Sequence, residues 1–333
     1  MTQHPAFTGP FALGTFSLEG SAPFPGLVVG DRVRDLSALP APAGAPTTLA
    51  LLENWDSALP EWRRLAEGPH SDDWLPLACL HVHAPVRPRQ ILQAGANYRS
   101  HVIELTMAHL AAEDSRSPED VRAEAVAAVD RRAAEGEPYV FTGLPSALTG
   151  AYDDVLLPGW TQQADWELEL CAVIGRPAYR VSPEDALGHV AAYTIANDLT
   201  ARDAVFRDDL GPIGVDWRRA KNPPGFTPLG PFLVPAEHIG VPDDLRVTLR
   251  LNGEVKQDDS TKDMIFDVAT LVSYASRTTQ LLPGDLLLTG SPAGNGIHWG
   301  RLLRDGDVIE STITGLGVQS TRFVAEGTGR NPA

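Results

Sequence analysis

Asp165-Trp166-Glu167-Leu168-Glu169-Leu170-Cys171-Ala172-Val173-Ile174 places two acidic residues at the entrance of an apolar run. A strand over Glu167–Ile174 has a side-chain period of two, so Glu167 and Glu169 share one face while Trp166, Leu168 and Leu170 share the other. Glutamate is depleted in strands, and like charges on one face repel. Asp165 to Leu170 alone fits either a solvated face of an edge strand or a carboxylate pair gathered for a purpose. A second apolar run, Val190–Ile195, predicts another strand. It continues through Ala196-Asn197 and ends in Asp198, and Thr200-Ala201-Arg202-Asp203 opens the next segment. Two carboxylates from one strand and a third from the end of another suit a hard divalent cation. Mg²⁺ in particular takes near-octahedral oxygen ligands and keeps positions for water or substrate. His189, the nearest histidine, lies at the opposite end of the second strand, so zinc or iron fits less well.

Further strands are expected at Ile91–Ala94, Leu286–Leu288, Val308–Thr314 and Thr321–Ala325. Arg246–Val255 carries Asn252-Gly253 between two strand-like runs, a strong short-range hairpin signal. Phe24 to Leu36 alternates apolar and polar residues around Gly30-Asp31, a second hairpin signal. Three helices are predicted. Leu49–Leu65 has a helical pattern. Ser117 caps a helix with Pro118 at its first position, ending before Gly136. Met264–Leu281 spaces Ile265, Val268, Leu271, Val272 and Ala275 helically and stops at Pro283-Gly284.

The chain has 333 residues, 43% of them hydrophobic and 21% charged, which is globular composition. At roughly 150 residues per domain that predicts about two domains. We place a small N-terminal α+β domain at residues 1–85 and the main domain at 86–333, linked through Pro85–Pro88. Thirty glycines and 28 prolines spread along the chain predict many turns. The net charge of −16 disfavours nucleic acid and anionic membranes as partners. It leaves small anionic substrates open, since a bound cation inverts the local field. Cys79 and Cys171 are too few for a disulfide framework and read as buried small hydrophobes. No signal-peptide pattern and no apolar run of the ~18 residues that span a bilayer are visible, so the expectation is a cytoplasmic protein.

Gly95-Ala96-Asn97-Tyr98-Arg99-Ser100-His101-Val102-Ile103-Glu104 completes the candidate chemistry. Gly95 and Asn97 suit a tight loop after a strand. His101 and Glu104 share a face if a helix follows. A carboxylate beside an imidazole fixes its tautomer and supports general-base action, although surface pairs of this kind are common.

Together these segments resemble the fumarylacetoacetate hydrolase family over about residues 90–327. The match includes Gly95-Ala96-Asn97-Tyr98, Trp166-Glu167-Leu168-Glu169-Leu170 and Asn197-Asp198-Leu199-Thr200-Ala201-Arg202-Asp203. It continues through Ala220-Lys221, Pro228-Leu229-Gly230-Pro231, Leu251-Asn252-Gly253, Pro283-Gly284-Asp285 and Thr289-Gly290-Ser291-Pro292-Ala293-Gly294. Each motif alone is modest; their common order makes the match specific. Phe24-Pro25-Gly26-Leu27 looks like part of the small leading domain of long members.

The resemblance implies an α+β, mainly β fold: a mixed β-sandwich roll, dimeric, with one divalent metal per subunit (Mg²⁺, or Mn²⁺ or Ca²⁺). It makes Glu167, Glu169 and Asp198 the ligands, His101 and Glu104 the water-activating pair, and Lys221 the cation near the reacting oxygen. It places Arg202, Ser291 and Tyr98 against substrate, with Ser291 standing where members usually carry threonine. The implied reaction is hydrolysis of a C–C bond in an acylpyruvate-like 2,4-dioxo acid through an enolate. Decarboxylation, lyase and isomerase chemistry on the same site are the alternatives.

The sequence also departs from the family pattern. Phe141 is followed by Thr142-Gly143, without the lysine many members carry, and Val205 stands where some have glutamine. Both changes remove polar contacts from the implied pocket. The segment from about Leu105 to Glu137 is a long helical insertion where members have a mobile lid. Its Val121, Val126 and Val129 form a thin apolar stripe, which predicts a weakly docked helix that closes over substrate.

Overall fold

Strand Leu168–Ile174 lies inside a sheet, between Leu286–Leu288 and Val190–Asn197, and every one of its residues is buried. This computed structural model describes residues 4–69, 73–108 and 116–327. The sheet has eight strands. Its main path runs Tyr139–Gly143, Ile91–Gly95, Leu286–Leu288, Leu168–Ile174, Val190–Asn197, Thr227–Leu229, Leu148–Gly150, with Val234–Pro235 also pairing on Val190–Asn197. Two of its pairings are parallel and the others antiparallel. A strand buried on both faces reads as a continuous apolar run, which explains the composition of Leu168–Ile174. It also removes the edge-strand reading of the two glutamates: both are buried.

A second sheet of five strands packs alongside in the order Glu254–Ser260, Arg246–Leu251, Val308–Ile313, Val318–Ala325, Asp154–Leu157. The hairpin at Asn252-Gly253 forms as expected. Both residues have positive φ, 51° and 84°, the backbone that a two-residue turn between twisted strands demands. Near the N-terminus, Trp74–Pro76, Arg32–Asp35, Phe24–Val29, Ala12–Ser17 and His81–His83 form an antiparallel sheet of their own. Its apolar face does not close on itself. Leu13, Leu27 and Trp62 share one core cluster with Val173, Leu229 and Leu286 of the eight-stranded sheet. Leu13 and Leu233 exchange main-chain hydrogen bonds across that junction. The architecture is α+β and mainly β, the class read from the sequence.

The helices show where local signals compete. Pro118–Glu135 starts behind Ser117, whose side chain accepts from the Asp120 N–H, and stops at Gly136, as predicted. The Leu49–Leu65 pattern resolves into two helices, Thr48–Leu52 and Trp55–Glu67, interrupted at Glu53-Asn54. The helix expected from Met264 begins only at Val268, because Asp267 caps it, and it ends at Ser276. Of the two cysteines, Cys171 is buried but Cys79 is exposed, against expectation, at the end of a short 3₁₀ turn. Among the described residues, no helix is long and apolar enough to cross a membrane.

Candidate active site

The acidic strand and its neighbour meet in register. Leu168 pairs with Asn197 and Glu169 with Ala196, so Asp198, one residue past the strand end, comes level with Glu167. The Asp198 N–H donates to the Glu167 carbonyl at 2.9 Å, and the Glu167 N–H donates to the Asn197 side chain at 2.9 Å. The regular strand begins at Leu168 rather than Glu167, and this side-chain bridge carries the pairing past its end. Glu167, Glu169 and Asp198 thereby offer carboxylate oxygens within 4.8 Å of one another, all buried.

Two cations answer these charges. Lys221 ends the helix Trp217–Lys221, and its Nζ donates to Glu167 Oε2 at 2.7 Å, Asp198 Oδ2 at 2.6 Å and the Asp198 carbonyl at 3.1 Å. Arg202 pairs through Nη2 with Glu167 Oε1 at 2.7 Å and donates from Nε to Asp165 Oδ2 at 2.8 Å. Asp165 is fully buried and accepts as well from the Gly296 N–H at 2.6 Å. Arg202 thus ties Glu167 to the buried Asp165.

Glu169 has no cation partner among the described residues. Its Oε2 accepts from the Gly290 N–H at 2.7 Å. Gly290 has φ of 94°, and a Cβ there would meet Asn97 Cβ at 2.9 Å, so a side chain is excluded where this loop passes the carboxylate. Burial, and then the neighbouring Asp198 charge, push the Glu169 carboxyl well above its ordinary pKa. Asp198 is raised for the same first reason, despite Lys221. Glu167 goes the other way: burial opposes its ionisation, but Lys221 and Arg202 outweigh that. Among the described residues, four buried carboxylates, Asp165 included, thus meet only two cationic side chains, and Glu169 is the one left without a cation partner. A divalent cation bound by Glu167, Glu169 and Asp198 would supply the missing counter-charge, and an all-carboxylate donor set suits Mg²⁺, Mn²⁺ or Ca²⁺. The residues present fit such an ion.

His101 and Glu104 lie on the helix Arg99–Ala108. Asn97 fixes its entry: the side chain donates to the carbonyls of Phe266 at 2.9 Å and Thr289 at 2.8 Å and accepts from the Phe266 N–H at 3.0 Å. Asp263 then caps the helix by accepting from the Ser100 N–H. His101 is buried, and burial foremost lowers its pKa to about 4, with Glu167 opposing and Arg202 and Lys221 adding to the shift. Glu104 does not join it. Its Oε2 accepts from the Gly294 N–H at 3.1 Å and lies 3.5 Å from His298 Nδ1, and among the described bonds none links it to His101. Tyr98 is fully buried, and the Glu169 charge helps burial to raise its phenol pKa. The Ser291 hydroxyl accepts from Gln257 Nε2 at 3.0 Å, which fixes the loop it sits on.

One residue of the site was not anticipated. Gln93 Nε2 donates to Asp198 Oδ1 at 2.5 Å from the middle of the strand Ile91–Gly95. A lone amide inside an otherwise apolar run was the signal available.

Residues 90–324, the stretch that carries all of these side chains, match the family model described as fumarylacetoacetate (FAA) hydrolase C-terminal. The chain belongs to the fumarylacetoacetate hydrolase family. A rat relative, mitochondrial oxaloacetate tautomerase Fahd2a, is 32% identical over 301 residues, 89% of this chain and 85% of the relative. The bovine mitochondrial oxaloacetate tautomerase FAHD2A is 38% identical over 190 residues, which cover 56% of this chain and 59% of that protein. Among solved structures, fumarylacetoacetate hydrolase from Exiguobacterium antarcticum superposes with a TM-score of 0.72 at 29% identity, covering 95% of this chain and all of that one. A putative HpcE protein from Mycobacterium smegmatis gives 0.73 at 31%, covering 94% and 99%. The family's named members thus include tautomerases and a hydrolase.

Proposed function

We propose that this family member is a metal-dependent enzyme that carries a 2-oxo acid through its enolate, and that its reaction is C–C hydrolysis of an acylpyruvate-like 2,4-dioxo acid. The observation that supports the reading is His101: a buried imidazole, unprotonated down to about pH 4, beside a carboxylate set that also holds an ammonium. Glu167, Glu169 and Asp198 would hold the cation. When bound, the ion supplies Lewis-acid polarisation of the substrate's carboxylate and 2-oxo oxygens. Neutral His101 takes a proton from a water as its oxygen adds to the distal carbonyl carbon. The C–C bond then breaks, its electron pair moves to the 2-oxo side, and the Lys221 ammonium faces the charge that develops there. His101 returns the proton to the enolate carbon, which leaves pyruvate and a carboxylic acid. Arg202 keeps Glu167 aimed, while Tyr98 and Ser291 flank the substrate. The same reading carries a homodimer as the assembly.

A second reading is keto–enol tautomerisation of a 2-oxo acid. The position of Glu104 favours it: hydrolysis calls for an oriented water-activating pair, whereas tautomerisation needs one base and an enolate-stabilising pocket. The naming of the rat and bovine relatives points the same way. A product-resolved assay separates the two. With Mg²⁺, the first reading gives pyruvate and a carboxylic acid from a 2,4-dioxo acid. The second gives faster decay of enol-oxaloacetate absorbance with no new acid.

A further inference from the structure

Strand Tyr139–Gly143 lies at the outer end of the eight-stranded sheet, antiparallel to Ile91–Gly95. Phe141 stands directly opposite Gln93, and cross-strand partners share a face. Gln93 uses that face to reach Asp198, so Phe141 looks onto the carboxylate cluster. The ring confirms it: Lys221 Nζ lies over Phe141, 5.9 Å from the centroid. Phe141 also stacks on Trp217, with centroids 5.2 Å apart and planes 22° from parallel, and on Tyr139 at 5.9 Å and 29°. Trp217 and Lys221 are four apart on one short helix and therefore share its face. Gly95, opposite Tyr139, leaves the room: a Cβ there would come within 2.8 Å of the Tyr139 ring. The result is a continuous aromatic wall from Lys221 outward to Tyr139, which is 45% exposed.

Among the described residues, the cations of the carboxylate cluster have little left for a second carboxylate. The two cations of the cluster are each engaged by two acidic residues, Lys221 by Glu167 and Asp198, and Arg202 by Asp165 and Glu167. Thr142 alternates to the other face of the strand from Phe141.

We propose that Phe141, Trp217 and Tyr139 form the tail subsite, and that it selects 2-oxo acids bearing a planar, apolar, aryl-type tail over those ending in a second carboxylate. This rests on the proposed 2-oxo-acid site but not on which reaction occurs there. Contact of an aryl tail with Trp217 or with the ring edges of this wall adds to simple burial, and the carboxylate tail would be desolvated without a partner.

Binding tests it without turnover. Phenylpyruvate, pyruvate and 2-oxoglutarate are titrated into the full chain with Mg²⁺, with calorimetry as the readout. The expected order is phenylpyruvate about tenfold tighter than pyruvate, the size of one good aromatic contact, with 2-oxoglutarate no tighter than pyruvate. Trp217→Leu should erase most of the phenylpyruvate advantage while pyruvate affinity moves less. A 2-oxoglutarate affinity equal to or above that of phenylpyruvate overturns the proposal, as does an undiminished phenylpyruvate advantage in a folded Trp217→Leu. If none of the three ligands binds, the 2-oxo-acid reading itself fails and the tail subsite falls with it. The wild-type comparison stands even if the variant does not fold.

Discussion

Lys221 grips Asp198 twice, through the carboxylate at 2.6 Å and the main-chain carbonyl at 3.1 Å. The lysine is thus fixed to the end of the strand that carries the third carboxylate. Its ammonium is buried, and although burial disfavours the charge, Asp198 and Glu167 hold its pKa above the ordinary lysine value. Lys221→Met should cut turnover by about 10²–10³-fold, the usual loss when a preorganised charge at the reacting oxygen is removed. Mg²⁺ affinity should rise or hold, because a competing cation has gone. Steady-state kinetics with a parallel Mg²⁺ titration check both, and a large loss of Mg²⁺ binding would contradict the assigned role.

Arg202 bridges Asp165, which is fully buried, and Glu167. Removing one member of a buried ion network leaves the others uncompensated, at about 3–5 kcal/mol. Arg202→Ala should therefore lower stability by about that amount in urea unfolding. Arg202→Lys should recover only part, since an ammonium lacks the planar fork that serves both carboxylates.

His101 yields a pH signature. Its folded pKa of about 4 lies below the ordinary 6.5, chiefly through burial. The base is therefore already neutral through the mildly acidic range, and a bound cation shifts it in the same direction. At saturating Mg²⁺ the acid limb of kcat/KM assigned to His101 should fall at or below about pH 4 rather than near 6.5. The stability consequence has a definite sign. Between pH 6.5 and about 4 the unfolded chain binds a proton at His101 that the folded chain does not, so this group withdraws stability as the pH falls. His101→Ala should lose about 10²–10⁴-fold in turnover with metal affinity little changed. It should also lose that acid limb.

The insertion helix Pro118–Glu135 buries only Val121, Ala125 and Val129. They form a small cluster of their own with Ile103 of the His101 helix. At roughly 25 cal/mol per Å², such small side chains contribute little. Polar ties supplement them: Arg132 donates to the Ala96 carbonyl, and Arg99 pairs with Asp130 at 2.6 Å. Residues 109–115 of the insertion lie outside the described residues. Amide exchange across 121–132 should slow when oxalate is added with Mg²⁺. Equal exchange in both states makes this helix a passive cover for His101.

How legible was this in the sequence? The strands announced themselves where apolar runs were bounded by turn chemistry, as at Asn252-Gly253. The Ser117-Pro118 cap marked its helix to the residue. The family motifs collected Glu167, Glu169, Asp198 and Lys221, because each lies in a conspicuous local pattern. The partnerships were not legible. That Arg202 would turn to Asp165, that Glu104 would turn to Gly294 and His298, and that Gln93 would reach Asp198 all depend on segments far apart in the chain. Periodicity carries no information about such contacts. Helix Val268–Ser276 was overextended because apolar spacing continued upstream while the Asp267 cap decided the boundary.

Glu169 is where the metal requirement and the charge imbalance coincide, so the most direct measurement is pyruvate release from an acylpyruvate by the wild type and by Glu169→Gln. Each is assayed in Mg²⁺, in a chelator, and after Mg²⁺ is restored. The account predicts release in Mg²⁺, loss in chelator and recovery on restoration for the wild type, and no Mg²⁺-dependent release for the variant. Release that ignores the chelator, or that survives in a folded Glu169→Gln, would contradict it.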